Sequence, residues 1–230
     1  MKKFVRITNI ELVKDTDPDY CEWGSYHANR HRKKRKRSDE EEIARQRILN
    51  DFAEKCEILA ISCLSKYISI SEERVLKFKK LKRYRSIEHQ ASFKELDAVS
   101  IVNDIPEFVF EIKSTQSNAT IRKGVTQLNR SLDIMHQKWK GVKGCVLIVD
   151  LSKDEKIIKS HHCKKINLLE NKQSFLNGIK NLLPTEKIGI PIKDLMKLPD
   201  ASFNDDELDG YYELAELQRL CEIEKNQTSC

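Results

Sequence analysis

Residues 93–127 hold three side chains whose types and spacing could do chemistry together: Asp97, Glu111 and Lys113. Glu111-Ile112-Lys113 ends an apolar run, Phe108-Val109-Phe110, that reads as a strand, and Asp97 falls in the strand before it. Strand side chains alternate, so Phe108, Phe110 and Ile112 share one face while Val109, Glu111 and Lys113 share the other. On the earlier strand Glu95, Asp97 and Val99 share a face. The turn decides how these faces meet. An odd loop over residues 103–105 sets Val102 opposite Pro106, which puts Asp97 opposite Glu111 and Glu95 opposite Lys113. An even loop sends the two carboxylates to opposite faces. Directly opposed carboxylates repel by up to about 1 kcal/mol, and partial burial adds to that. A cation between them removes the conflict, and hard oxygen ligands suit Mg2+ or Mn2+. Lys113 could then orient a water or support charge on a phosphate, with the metal lowering the pKa of the bound water. The competing reading is a surface hairpin with ordinary ion pairs. Short strings that mix acidic residues and lysine are common, as Glu222-Ile223-Glu224-Lys225 shows.

The elements that would position these groups follow from periodicity. Ser38-Asp39-Glu40-Glu41 has the form of a capping box with acid in the first turn. A helix over residues 38–67 carries the stripe Leu49, Phe52, Ala53, Cys56, Ala60, Cys63, Leu64 and Tyr67. Glu57 lies on the flank of that stripe and Glu54 opposite it. Strands are predicted over 4–13, 92–102 and 107–113, and a strand or short helix over 74–85. Residues 14–37 read as a loop or partly ordered arm, with Asp17-Pro18-Asp19 as a turn signal. A helix over 120–139 carries Ile121, Val125, Leu128, Leu132 and Met135. The continuous apolar run over 144–151 predicts a strand buried on both faces. Further helices are predicted over 174–183 and 211–224. The order is that of an α/β fold.

The 230 residues suffice for one domain with a sizeable core. A net charge of +6 favours an anionic partner. The basic excess is concentrated in Arg30-His31-Arg32-Lys33-Lys34-Arg35-Lys36-Arg37. That block reads as a solvated linker, a phosphate-contacting arm or a nuclear-targeting signal, and the sequence leaves these open. Residues 204–224 are acidic. No apolar run is long enough for a membrane span, and the amino end lacks the features of a signal peptide. The seven cysteines are odd in number, and Cys56, Cys63 and Cys145 fall at core positions, as expected for reduced thiols. An intracellular chain is expected, cytoplasmic, or nuclear in a eukaryotic cell. Cys21, His27 and His31, or His161-His162-Cys163, could offer zinc ligands but lack paired C-x-x-C spacing. No nucleotide-binding fingerprint is present, so any motor would be a partner.

Glu95-Leu96-Asp97-Ala98-Val99 followed by Phe108-Val109-Phe110-Glu111-Ile112-Lys113-Ser114 resembles the core of the PD-(D/E)XK nuclease superfamily. The resemblance covers residues 38–151. It implies a restriction-endonuclease-like αβββαβ core, with a mixed central sheet flanked by helices. The chain would divide into an N-terminal strand and basic arm (1–37), the core (38–183) and an acidic helical extension (184–230). The resemblance further implies a Mg2+-dependent (or Mn2+-dependent) endonuclease. Asp97, Glu111 and the Ile112 carbonyl would bind metal, Lys113 would activate or orient water, and Glu57 would serve a second metal or its water. Gln127 would position water or the phosphate. Around the helix bearing Gln127, Arg122, Lys123 and Arg130 are candidates for backbone contact or a solvated helix face, and Arg32, Lys33, Lys34, Arg35, Lys36 and Arg37 of the basic block are the phosphate-contacting candidates if that block is an arm, with DNA expected ahead of RNA. Family members serve restriction, repair and phage defence, which implies an ATPase or sensor subunit or a homodimer as partner. The chain departs from the motif at its first letter, where Leu96 replaces proline, and Glu95 is an additional carboxylate. The alternative is a non-catalytic nucleic-acid-binding or assembly subunit with a nuclease-like core.

Overall fold

The computed structural model describes residues 7–32, 40–80, 91–165, 186–201 and 203–228. It is a mixed α/β fold with two sheets. The smaller sheet is antiparallel, in the order β1 (Ile7–Val13), β2 (Val75–Lys80), β3 (Ser92–Glu95). The central sheet runs β4 (Ala98–Val102), β5 (Ile105–Thr115), β6 (Lys143–Asp150), β8 (Glu186–Pro191), β7 (Lys164–Lys165). It is mixed: β4 is antiparallel to β5, and the remaining neighbours are parallel.

Each face of the central sheet has its own core. On one face Phe108, Phe110 and Ile112 of β5 and Cys145, Leu147 and Val149 of β6 meet α2 (Glu40–Ser65), through Phe52, Cys56, Ala60, Cys63 and Leu64. On the other, Val109, Val146 and Ile148 meet α3 (Asn118–Met135), through Ile121, Leu128, Leu132 and Met135. Leu76 and Phe78 of β2 join that second core. The continuous apolar run of β6 is thus divided alternately between two layers, as a strand with parallel neighbours on both sides requires.

Several expectations need correction. Residues 14–37 are not a loop throughout: α1 spans Pro18–Arg32. Asp17 caps it, its carboxylate accepting the Tyr20 N–H at 3.0 Å, with Pro18 at the first helical position. The motif read as a turn is a helix start. Lys77 holds that start to β2, reaching Asp19 at 2.9 Å and Asp17 at 3.3 Å. The strand expected over 92–102 is two strands in two sheets, broken at Leu96 and Asp97. Residues 184–230 are more than a helical extension. They supply β8 to the central sheet, then α5 (Ile192–Leu195) and α6 (Asp205–Thr228), whose Leu208 and Tyr211 pack against Phe52. The short α4 (Lys156–Ser160) was not anticipated. The helix expected over 174–183 and the Ser38 cap lie outside the described residues.

The turn between β4 and β5 has two residues. Val102 pairs with Ile105, leaving Asn103 and Asp104, both with positive φ (51° and 61°). This even loop is the one expected to separate the carboxylates, and it does not. Between Ser100 and Ile101 the register shifts: Ile101 pairs with Pro106 but Ser100 with Phe108. Glu107 is the extra residue of a bulge. The bulge restores the register that an odd loop would have set, and Ala98 pairs with Phe110. Asp104 is the weak point of this turn, since a left-handed conformation favours glycine. Asp104→Gly should raise stability by about 0.5 kcal/mol, read as a higher urea midpoint with an unchanged denaturant slope.

Candidate functional site

Beyond Ala98 the register places Asp97 beside Glu111. The Asp97 Oδ2 accepts the Ile112 N–H at 2.6 Å, so the side chain takes over a ladder hydrogen bond where the strand breaks. Lys113 lies on the same face as Glu111. Its Nζ donates to Glu111 Oε1 at 2.8 Å and to the Ile112 carbonyl at 2.8 Å, and lies 3.4 Å from Asp97 Oδ2. Two carboxylates and a carbonyl therefore converge on one ammonium. Glu57, on the third turn from the end of α2, reaches the same strand: its Oε1 accepts the Ser114 N–H at 3.1 Å.

The electrostatics follow from burial. Glu111 is 4% exposed. Burial pushes its carboxyl above the ordinary glutamate value, Asp97 adds to this, and Lys113 opposes it. Burial also raises Glu57, with the Ser114 N–H and Lys113 opposing. At Lys113 burial works against the charge, but Asp97, Glu111 and Glu57 together lift its pKa above the usual lysine value. Lys113 is therefore a held ammonium, a donor and not a base, while these carboxylates remain around it.

Gly124 of α3 explains how a helix lies so close over this cluster. A Cβ there would stand 3.0 Å from Lys113 Cγ and 3.6 Å from Glu111 Cγ. A glycine inside a helical pattern, about 1 kcal/mol worse than alanine, was the one available sequence signal of that approach. Lys94 was also missed. It sits on β3, half-buried, and its ammonium donates to the Gln127 carbonyl across the gap between the small sheet and α3.

The other expected residues are placed less uniformly. Gln127 is exposed on α3, and its contacts with Lys94 and with the Ser131 hydroxyl are made by its backbone carbonyl. Lys123, Gln127 and Arg130 share one flank of the helix by their spacing. Arg122 lies on the other flank, near His161, which contacts Asn118 at 2.9 Å and Lys187 at 3.4 Å. Glu95 does not face Lys113: it accepts a hydrogen bond from the Tyr20 hydroxyl, because β3 belongs to the small sheet. Arg32 is the last residue of α1, and Lys33, Lys34, Arg35, Lys36 and Arg37 lie outside the described residues. Cys163 packs against Gly189, and burial pushes its thiol up to about 11. Among the described residues no group of three or more His, Cys, Asp or Glu is arranged to hold a metal. The cluster at β5 offers two carboxylates and a main-chain carbonyl. These are hard oxygen donors that already surround a positive charge, and they fit Mg2+ or Mn2+ chemically. Among the described residues no helix is long and apolar enough to cross a membrane.

Comparison of the chain with protein-family models, with curated proteins and with solved structures returns no match.

The ion pair carries a stability prediction. Lys113→Met leaves Glu111 buried beside Asp97 without its cation, a loss of about 3 kcal/mol. A carboxyl with a raised folded pKa is favoured in its protonated form. The variant should therefore come closest to wild type near pH 5 and fall further behind as the pH rises toward about 8. Urea unfolding of both proteins across that range checks this, and a loss independent of pH would disprove the pairing.

Proposed function

We propose that this protein is a metal-dependent nuclease that hydrolyses phosphodiester bonds, DNA ahead of RNA. The observation that supports the reading is the convergence of Asp97, Glu111 and the Ile112 carbonyl on one cationic point. The resemblance to PD-(D/E)XK nucleases assigns metal binding to the same three groups. The metal, when bound, would lower the pKa of a water and offset charge building on the phosphate.

The remaining roles belong to the chain. Asp97 and Glu111 supply two negative charges on one side of the site, and Ile112 adds a neutral oxygen. A divalent cation competes with the Lys113 ammonium for these oxygens. Lys113, released from them but anchored by its packing beneath Gly124, presents N–H donors to the attacking water or to a non-bridging phosphate oxygen. Glu57, fixed by the Ser114 N–H, keeps one oxygen for a further cation or its water. Gln127, by the same resemblance, would position the water or the scissile phosphate from α3. Two active sites, in a homodimer, would serve cleavage of both strands of a duplex. A motor or sensor subunit in restriction, repair or defence would be the natural partner of an effector of this kind.

The assay is plasmid and oligonucleotide cleavage with Mg2+, Mn2+ or chelator. Wild-type protein should cut with either metal and not with chelator, and Asp97→Ala and Lys113→Ala should each lose on the order of 100-fold in rate. Cleavage that ignores chelator, or that survives in both variants, refutes the assignment. Chelator-resistant binding without cleavage would favour the alternative, a nucleic-acid-binding subunit with a nuclease-like core.

A further inference from the structure

We propose that Lys94 and Arg130 form a subsite for a phosphate of the nucleic-acid substrate, alongside the Asp97–Glu111–Lys113 cluster. The subsite rests on the nuclease reading and adds two groups that hold the strand rather than cut it.

Two lysines reach this region and they are used differently. Lys113 meets three acceptors, Asp97, Glu111 and the Ile112 carbonyl, which match the three N–H donors of an ammonium. Lys94 donates to one, the Gln127 carbonyl. It starts on β3 in the small sheet and reaches α3, and the charges of Glu111 and Asp97 act on its ammonium. Arg130 lies three residues beyond Gln127, on the flank of α3 that carries Lys123 and Gln127. Its charge acts on the Lys94 ammonium. Neither Lys94 nor Arg130 forms an ion pair within 4 Å among the described residues.

A charge count gives the subsite its sign. Glu57, Asp97 and Glu111 contribute three negative charges when ionised. Lys113, Lys94 and Arg130 contribute three positive charges, and Lys123, on the same flank of α3, contributes a fourth. A divalent cation would add two more and draw an anion to the region, and Lys94 and Arg130, which form no ion pair among the described residues, are where it is best held. A phosphodiester suits them: it carries one negative charge and accepts hydrogen bonds on two free oxygens, and the Arg130 fork and the Lys94 donors can share it. Burial also holds the Lys94 ammonium below the ordinary lysine value, opposed by Glu111 and Asp97, while Arg130 acts with burial. A bound phosphate would add a negative charge that favours the ammonium.

Steady-state cleavage by the full chain with Mg2+ tests this, using Lys94→Met, Arg130→Met and Lys94→Arg. Each methionine variant should raise KM on the order of tenfold while kcat changes less, and Lys94→Arg should restore most of the affinity. Each lost phosphate contact should also reduce the slope of log affinity against log salt by about 1. A packing role alone would not produce that change, even if Lys94→Met lowers the melting temperature. Unchanged KM and salt slope in both methionine variants, with an active wild type, overturns the subsite and leaves the nuclease reading intact. A wild type that cuts nothing removes the nuclease reading and the subsite together.

Discussion

A carboxylate out of water must have a cation, and Glu111 on the central strand β5 is 4% exposed. Much of the local architecture answers that requirement. Lys113 is two residues on, so the pleat puts its stem on the same face and its ammonium 2.8 Å from the acid. Gly124 lets α3 close over both stems. Asp97 brings a second negative charge, and the held ammonium answers both. The arrangement is self-consistent because Lys113 stands where the oxygens meet.

The approach of Asp97 to Glu111 depends on a compensation in the hairpin. Asn103 and Asp104 tolerate positive φ better than most residues, so a two-residue turn forms. Alone it would have slipped the pairing by one and turned the carboxylates to opposite faces. Glu107 is absorbed as a bulge before the strands reach Ser100 and Phe108, and the slip is undone. The pairing anticipated from an odd loop is therefore present for a different reason. Short-range turn chemistry was readable from Asn103 and Asp104. The bulge was not, because Glu107 is an ordinary exposed residue whose displacement is set by packing of Phe108 and Phe110 in the core.

Legibility elsewhere followed how strongly one force dominated. The α2 stripe and the two-faced burial of β6 were legible because apolar spacing alone decides them. α1 was not, because its polar sequence packs on the small sheet mainly through Tyr20, Trp23 and Phe93, and the Asp17–Pro18 pair serves turns and helix starts alike. β8 was missed for another reason. Ile188, Gly189 and Ile190 form a short, weakly patterned stretch that becomes a strand only because β6 offers it an edge. At the site, Asp97, Glu111, Lys113 and Glu57 were legible as chemistry. Lys94 was not, because one lysine among many reveals its position only when two sheets and a helix meet around it.

The break in the chain at Leu96 and Asp97 ties these points together. The Leu96 N–H turns to the Arg74 carbonyl, at 2.9 Å, and stays with the small sheet. Asp97 leaves that sheet and satisfies the Ile112 N–H of β5 with its side chain. A continuous strand would have made that bond with its backbone and left the carboxylate free to rotate. Here Oδ2 is fixed by the ladder and by Lys113, while Oδ1 takes part in neither interaction. The residue therefore acts as a hinge between sheets and as a rigid acid with one oxygen to offer. Asparagine could occupy the hinge through the same carbonyl oxygen, but it would bring no charge to balance Lys113. The fold requires an acceptor at position 97, and both the buried ammonium beside it and the chemistry proposed for the site favour an acid there.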